Sequence, residues 1–290
     1  MPFTKGEDVS TVVVAGATGY LGQFVVAELA RRGHRVRALA RPGKSVAGAA
    51  DVFEAEATRP ETLHGLCDGA ELVFSSLGIT RQIDRVTFED VDHRANANVL
   101  AQAVAAGVRR FGFVSVVSPE VFAHSALVQA RERFVAELAR APIEATLIRA
   151  TGFFNDMAEP FQMAARGRVY LIGRGTTRIN PIHGADLATA CADALEVGDA
   201  ARAVGGPEIL TWNEVAGLAF RVLEKPARVT HVPSWMVGAA LPAIRLFSQR
   251  AHDIATFVRT VMTHDITAPQ SGSHRLEDHF RELARAGADR

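Results

Sequence analysis

Residues 12–22, VVVAGATGYLG, constrain the fold more than any other stretch of the chain. Consecutive valines read as a buried strand, and Gly16, Gly19 and Gly22 follow at intervals of three. The next residues, YLGQFVVAELARRG, place Leu21, Val25 and Leu29 on one helix face and stop at Gly33. Strand, glycine turn and helix in direct succession predict a phosphate cradle. A residue without Cβ lets the backbone turn tightly and lets N–H groups approach a pyrophosphate. The helix N-terminus adds partial positive charge. The strand–turn–helix context makes the motif specific; glycines at this spacing alone do not.

The alternation continues. HRVRALAR, DVFEAEA, ELVFSSLG, RRFGFVSVVS and IEATLIRA predict strands. PETLHGLCDG predicts a short helix, and FEDVDHRANANVLAQAVAAG and ALVQARERFVAELARA longer ones. Strands separated by helices of this length give βαβ units, a parallel sheet and helices on both faces. The expected fold class is therefore α/β, a Rossmann-like doubly wound parallel sheet, with residues 1–150 as the dinucleotide-binding core. After residue 150 the rhythm breaks. TGFFNDMAEPFQMA is irregular and then helical, and RVYLIG and RINPIH read as short strands. GADLATACADALEV and LTWNEVAGLAFRVLEK read as helices, the second opened by a capping box of Thr211 and Glu214. Residues 233–263 read as helical with a proline break, and HRLEDHFRELARAG as an amphipathic terminal helix. Residues 151–290 are expected to form a smaller, mainly helical substrate-side lobe packed on the core as one compact unit.

With 290 residues, 48% of them hydrophobic and 22% charged, the chain can bury a sizeable core. Its formal net charge of zero gives no electrostatic reason to bind nucleic acid. Cys67 and Cys191 lie far apart without a CxxC, and there is no HExxH, so neither a disulfide framework nor a metal is expected. The opening MPFTKGEDVS is polar, and SWMVGAALPAI is too short to span a bilayer and contains Pro242. The expectation is a cytoplasmic protein with no membrane span.

GATGYLG resembles the glycine loop of the short-chain dehydrogenase/reductase superfamily, in its extended and atypical branches. The resemblance runs on through the helix holding Asn96 and Asn98, through AGVRRFGFVS, LIRATGFF and NPIHGADLA, and through GGPEILTWNEVA, a stretch similar to NmrA-like NAD(P)H-binding members. It covers residues 11 to about 225. It implies cofactor contacts from Gly16, Thr18, Gly19, Tyr20, Leu21 and Gly22. Ser75, Ser76, Leu77 and Gly78 end the fourth strand, where the family lays backbone along the cofactor. Ala57 and Thr58 depart from the family's adenine-side pattern. The second strand ends ALARPGKS, with no carboxylate between Arg41 and Lys44. A carboxylate there would hold the ribose 2′-OH of NAD, whereas a guanidinium forks onto the 2′-phosphate of NADP. NADP(H) is the expected cofactor, with Arg41 as its main determinant and Lys44 as a second charge.

The family's YxxxK proton relay is absent. The chain has two tyrosines, Tyr20 and Tyr170, and neither is followed by lysine at that spacing. Aligned on the helix before the sixth strand, Gln129 stands at the tyrosine position and Arg133 at the lysine position. Arginine does not act as a base near neutral pH, and glutamine can orient a carbonyl but cannot shuttle a proton. The resemblance puts the active-site hydroxyl at Ser115 or Ser118, and His124 is a candidate proton donor. Ser115, Gly152 and Phe153 are expected near the nicotinamide, and Phe154 and Asn155 near substrate; core packing competes as a role for the phenylalanines. His183 and Arg149 are expected to be structural. Two functions follow. One is an NADPH-dependent reductase of a small apolar ketone or quinone-like compound, with donors that polarise the acceptor. The other is a non-catalytic NmrA-like redox sensor with a protein partner. A sugar-nucleotide epimerase fits the glycines but not the missing pair, and the chain shows no basic cluster for a second pyrophosphate.

Overall fold

The computed structural model describes residues 9–79 and 86–288. Most of the polar opening segment, with Lys5, lies outside the described residues. The chain forms two compact units. The first comprises residues 1–114, 133–147 and 188–202, and the second residues 115–132, 148–187 and 203–290. The division therefore passes through strands rather than falling at one point near residue 150.

The central sheet contains β1 (Thr11–Ala15), β2 (Arg35–Ala40), β3 (Asp51–Glu54), β4 (Leu72–Ser75), β5 (Arg110–Val116), β6 (Glu144–Ala150) and β9 (Ala201–Val204). Their spatial order is β3-β2-β1-β4-β5-β6-β9. The pairs from β3 to β5 are parallel, with Val13 opposite both Arg37 and Val73. The strand order reverses beside β1, which makes the carboxyl ends of β1 and β4 the topological switch point where ligands bind in such sheets. In the first unit, Val13, Ala15, Val73, Phe111 and Phe113 form the apolar core beside the sheet. Phe134 packs edge-on against Phe113 at 4.7 Å.

Helix α1 (Tyr20–Arg31) follows β1, and α2 (Asn96–Ala105) follows β4. The long helix expected over residues 88–107 begins as π-helical turns over Glu89–Ala95. The short helix expected in PETLHGLCDG is reduced to one 3-10 turn, Pro60–Thr62. There Thr62 Oγ1 donates to the Arg59 carbonyl at 2.8 Å, and Gly65 and Gly69 take positive φ of 82° and 68°, which ends the helix. Helices α3 (Ala126–Leu138) and α5 (Gly184–Val197) complete the crossovers.

In the second unit, α4 (Ala158–Ala165), α6 (Trp212–Val222) and α9 (Leu276–Ala288) pack around Phe154, Phe161, Trp212, Phe220 and Phe280. Strands β7 (Val169–Ile172) and β11 (Val229–Val232) pair in parallel, and β8 (Arg178–Ile179) pairs antiparallel with β10 (Leu210–Thr211). The capping box is present: Thr211 Oγ1 accepts from the Glu214 N–H at 3.2 Å, and the Thr211 N–H donates to Glu214 at 2.7 Å. Helices α7 (Ser234–Phe247) and α8 (Gln249–Thr263) meet at Ser248, not at Pro242, which stays inside α7. Ser248 takes an extended conformation and caps α8 by accepting from the Ala251 N–H at 3.1 Å.

Candidate functional site

The first unit carries a cradle shaped for a dinucleotide phosphate. Gly16 ends β1 with φ of +81°, and a Cβ there would stand 2.9 Å from the Ser76 backbone and hydroxyl. Its carbonyl accepts from the Gly19 N–H at 2.9 Å, closing the turn. A Cβ on Gly22 would fall on the Gly16 carbonyl, so the first turn of α1 lies directly against β1's exit. Gly19, the N-cap of α1, has no side chain with which to cap the helix, and the first turn carries no acidic residue. Thr18 and Gly19 are exposed at the loop's crest, while Leu21 and Gly22 are buried behind it. Tyr20 stacks edge-on against Phe24 at 5.4 Å. Backbone N–H groups at a helix terminus with a glycine N-cap suit a pyrophosphate.

The opposite wall is fixed from below. Ser75 is fully buried and donates to Asn96 Oδ1 at 2.5 Å. Asn96 Nδ2 donates to the Leu77 carbonyl at 3.3 Å and to the Val91 and Asp92 carbonyls at 3.2 and 3.1 Å. Ser75 is therefore a strut beneath the cradle, while Ser76, Leu77 and the exposed Gly78 continue along its edge. Asn98 donates to the Ala57 carbonyl at 2.9 Å and holds the loop after β3. Arg41 and Lys44 are both exposed on the turn after β2, closed by a 3.2 Å bond from the Lys44 N–H to the Arg41 carbonyl. Glu54, at the end of β3, accepts from the Gly43 N–H of this turn at 3.1 Å.

In the second unit, the centre of the candidate chemistry is a cluster the sequence reading missed. Arg149 on β6 makes a bidentate ion pair with Glu132 on α3, at 2.9 and 2.8 Å, and donates to the Val116 carbonyl at 2.9 Å. Ser115 is 3% exposed and donates to the same Glu132 carboxylate at 2.9 Å. With its proton committed there, Ser115 can only accept from a substrate unless the Glu132 bond breaks. A guanidinium on β6 needs an anionic partner, and folding supplies it from α3, 17 residues earlier in the chain.

The other α3 positions are occupied differently. Gln129 is exposed and donates to the Ala123 carbonyl at 2.7 Å. Arg133, at the family's lysine position, is exposed and paired with Glu89. His93 first, and then Arg133, hold the Glu89 carboxyl below its ordinary range. His124 is exposed in the turn before α3. Ser118 takes a left-handed φ of 51° ahead of Pro119, a conformation that costs a residue with a Cβ.

After β6, Gly152 is exposed with open space where a Cβ would stand. Phe153 is half-buried, and its N–H donates to Asp156 at 3.1 Å. Phe154, expected near substrate, is a core residue: it is 2% exposed and lies 5.6 Å from both the His183 and His279 rings. Asn155 is exposed. His183 Nδ1 accepts from the Ala185 N–H at 3.2 Å at the start of α5, a capping role. Cys67 and Cys191 are buried, and burial pushes the Cys67 thiol up to about 12 and raises Cys191 as well, so neither is a nucleophile. Among the described residues no cluster of metal-ligating side chains occurs, and no helix is long and apolar enough to cross a membrane.

A family profile described as NAD(P)H-binding matches residues 16–198. The chain is 31% identical to the chloroplastic divinyl chlorophyllide a 8-vinyl-reductase of Zea mays, over 96% of this chain and 80% of that protein. It is 23% identical to the photosystem II assembly factor Ycf39 of Trieres chinensis, over 78% of this chain and 73% of that one. The NADPH-dependent quinone oxidoreductase QOR2 of Escherichia coli, solved with NADPH, shares the fold with a TM-score of 0.67 at 20% identity, over 94% of this chain and 99% of that one. With the cradle at the β1–β4 switch point and a match over most of its length, the chain belongs to the NAD(P)H-binding family, in the atypical, NmrA-like branch of the short-chain dehydrogenase/reductases.

Proposed function

We propose that the protein is an NADPH-dependent reductase of a small, apolar ketone or quinone-like compound. The observation that carries the nucleotide half is the crowding of Gly16 and Gly22, which holds the first turn of α1 against the exit of β1 and admits no side chain at either position. NADPH, when bound, supplies a hydride. Gly16, Thr18, Gly19 and Gly22 hold the pyrophosphate through the backbone, and Arg41 and Lys44 favour the 2′-phosphate over a free ribose hydroxyl. Ser115, Gly152 and Phe153 are the candidates beside the nicotinamide, and Asn155 is the candidate beside substrate. The acceptor's own chemistry follows from the missing tyrosine. Gln129, at the family's tyrosine position, carries no acidic proton, which favours an acceptor whose developing oxyanion is already stabilised by conjugation. The Zea mays relative is named as an 8-vinyl-reductase of divinyl chlorophyllide a, which supports a reductase over a sensor.

One observation favours the sensor. Ser115, Gln129 and Arg133 all spend their polar groups on the protein itself. Steady-state NADPH oxidation against a panel of quinones, enones and ketones separates the two readings. Turnover with a conjugated acceptor supports the reductase. NADPH bound tightly but oxidised by none of them supports the sensor. In parallel, Arg41→Ala is expected to weaken NADPH binding on the order of tenfold while leaving NADH nearly unchanged, as loss of a charge-assisted phosphate contact requires. Equal affinity of the wild type for NADPH and NADH would remove Arg41 from cofactor choice.

A further inference from the structure

Helices α7 and α8 form a hairpin: α8 packs Phe257, Val261 and Met262 against the core of its unit, and α7 leaves its apolar surface open. No residue of α7 is buried, although SWMVGAALPAIRLF holds one charged side chain. Trp235 is 70% exposed, and at the corner of the hairpin Leu246 and Phe247 are 85% and 91% exposed. Scattered exposed apolar residues are ordinary; adjacent, almost fully exposed ones at a corner mark an interaction site. Between the helices a groove of about 650 Å³ opens beside them, walled by Leu241, Pro242 and Leu246 and edged by Arg245 and His252.

The charges at this corner have one sign. From Ser234 to Thr263 the charged residues are Arg245, Arg250, Arg259 and Asp253. Arg259 turns inward, donating to the Ser234 carbonyl at 3.2 Å and lying along Gly238. The Asp253 carboxylate accepts from Gln249 at 2.8 Å and meets His252 at 3.3 Å, and its side chain is 10% exposed. What remains at the corner is Arg245 and Arg250, flanking Leu246 and Phe247, in a chain of zero net charge. A second copy of the chain seated on this corner would bring like charges together across a two-fold axis. An anionic bilayer has the complementary character. Apolar tips enter the acyl boundary, guanidiniums pair with lipid phosphates, and an indole settles among the headgroups.

We propose that the α7–α8 corner docks the protein peripherally and reversibly onto an anionic lipid surface. The docking is independent of which reaction the nucleotide site supports. The test is flotation of the full chain with phosphatidylcholine vesicles, with and without a large fraction of phosphatidylglycerol, alongside tryptophan emission. Trp212 is 4% exposed and provides a constant background, so a blue shift reports Trp235 entering the interface. The wild type is expected to float with anionic vesicles, to shift its emission, and to release at high salt. The double variants Leu246→Ser with Phe247→Ser, and Arg245→Gln with Arg250→Gln, are each expected to weaken binding on the order of tenfold, with NADPH affinity unchanged as the check on folding. Failure of the wild type to float, equal flotation on neutral vesicles, or variants that bind like the wild type would overturn the proposal. So would a wild-type dimer that the serine variant converts to monomer, since that assigns the corner to a second copy.

Discussion

Glu132 joins Ser115 and Arg149 through one carboxylate, and its removal separates a structural role from a chemical one. Arg149 is 22% and Glu132 28% exposed, so solvent screens part of their attraction and the pair is worth less than a fully buried one. Glu132→Ala is expected to cost about 2 kcal/mol in a denaturant titration, because it leaves a half-buried guanidinium without its anion. Ser115→Ala removes one hydrogen bond and is expected to cost about 1 kcal/mol. A Glu132→Ala protein as stable as the wild type would show that the pair contributes nothing to the fold. Gly22 gives a second residue-scale prediction. Gly22→Ala forces the new methyl onto the Gly16 carbonyl, and overpacking against backbone costs about 1–3 kcal/mol or more. The thermal midpoint is expected to fall and NADPH binding with it; an alanine variant that binds NADPH normally contradicts the cradle. The glycines were legible in the sequence because their role is set by backbone geometry within a few residues. Glu132 was not, because its partners lie 17 residues away in either direction and meet it only through folding.

At the scale of elements, α9 and the start of α5 bring His183, His274 and His279 together around Phe154. The His183 and His274 rings stack at 4.2 Å, and His274 Nδ1 lies 2.8 Å from the Asp186 carboxylate. Burial first, and then the neighbouring His274, lower the His183 pKa. Burial also lowers that of His279, whose Nε2 is buried without a hydrogen-bond partner among the described residues. A lowered pKa means that the unfolded chain binds more protons than the folded one below the unfolded value of about 6.5. The stability these residues contribute is therefore fully present above that pH and is lost as pH falls towards the folded values. The thermal midpoint of the wild type is expected to drop on mild acidification, and His279→Gln to flatten that drop. A variant with the same pH slope as the wild type would exclude His279 as its source. The capping box of α6, the apolar stripe of α9 and the first six strands of the sheet all followed from local pattern. Strand β9 did not: ARAV is short, carries one arginine between alanines, and joins the sheet through bonds such as that from the Thr151 N–H to the Val204 carbonyl. The break between α7 and α8 was assigned to proline, yet the serine cap decides it.

The molecule as a whole joins a nucleotide cradle written in eleven consecutive residues to a second unit whose chemistry is spread over distant segments. That difference explains why fold and cofactor class were legible and the reacting groups were not. A pyrophosphate is bound by backbone, and backbone conformation leaves a glycine pattern. Proton transfer and substrate choice depend on side chains from several elements, and here the usual tyrosine and lysine are absent. On the proposed reading, NADPH held in the cradle is consumed by a conjugated, apolar acceptor without that pair. Single-turnover mixing of the NADPH-loaded protein with such acceptors tests it most directly, followed through the absorbance of reduced nicotinamide. The expected result is a decay whose rate rises with acceptor concentration and which Gly22→Ala abolishes. An absorbance that stays constant with every acceptor, while titration shows NADPH bound, would contradict it.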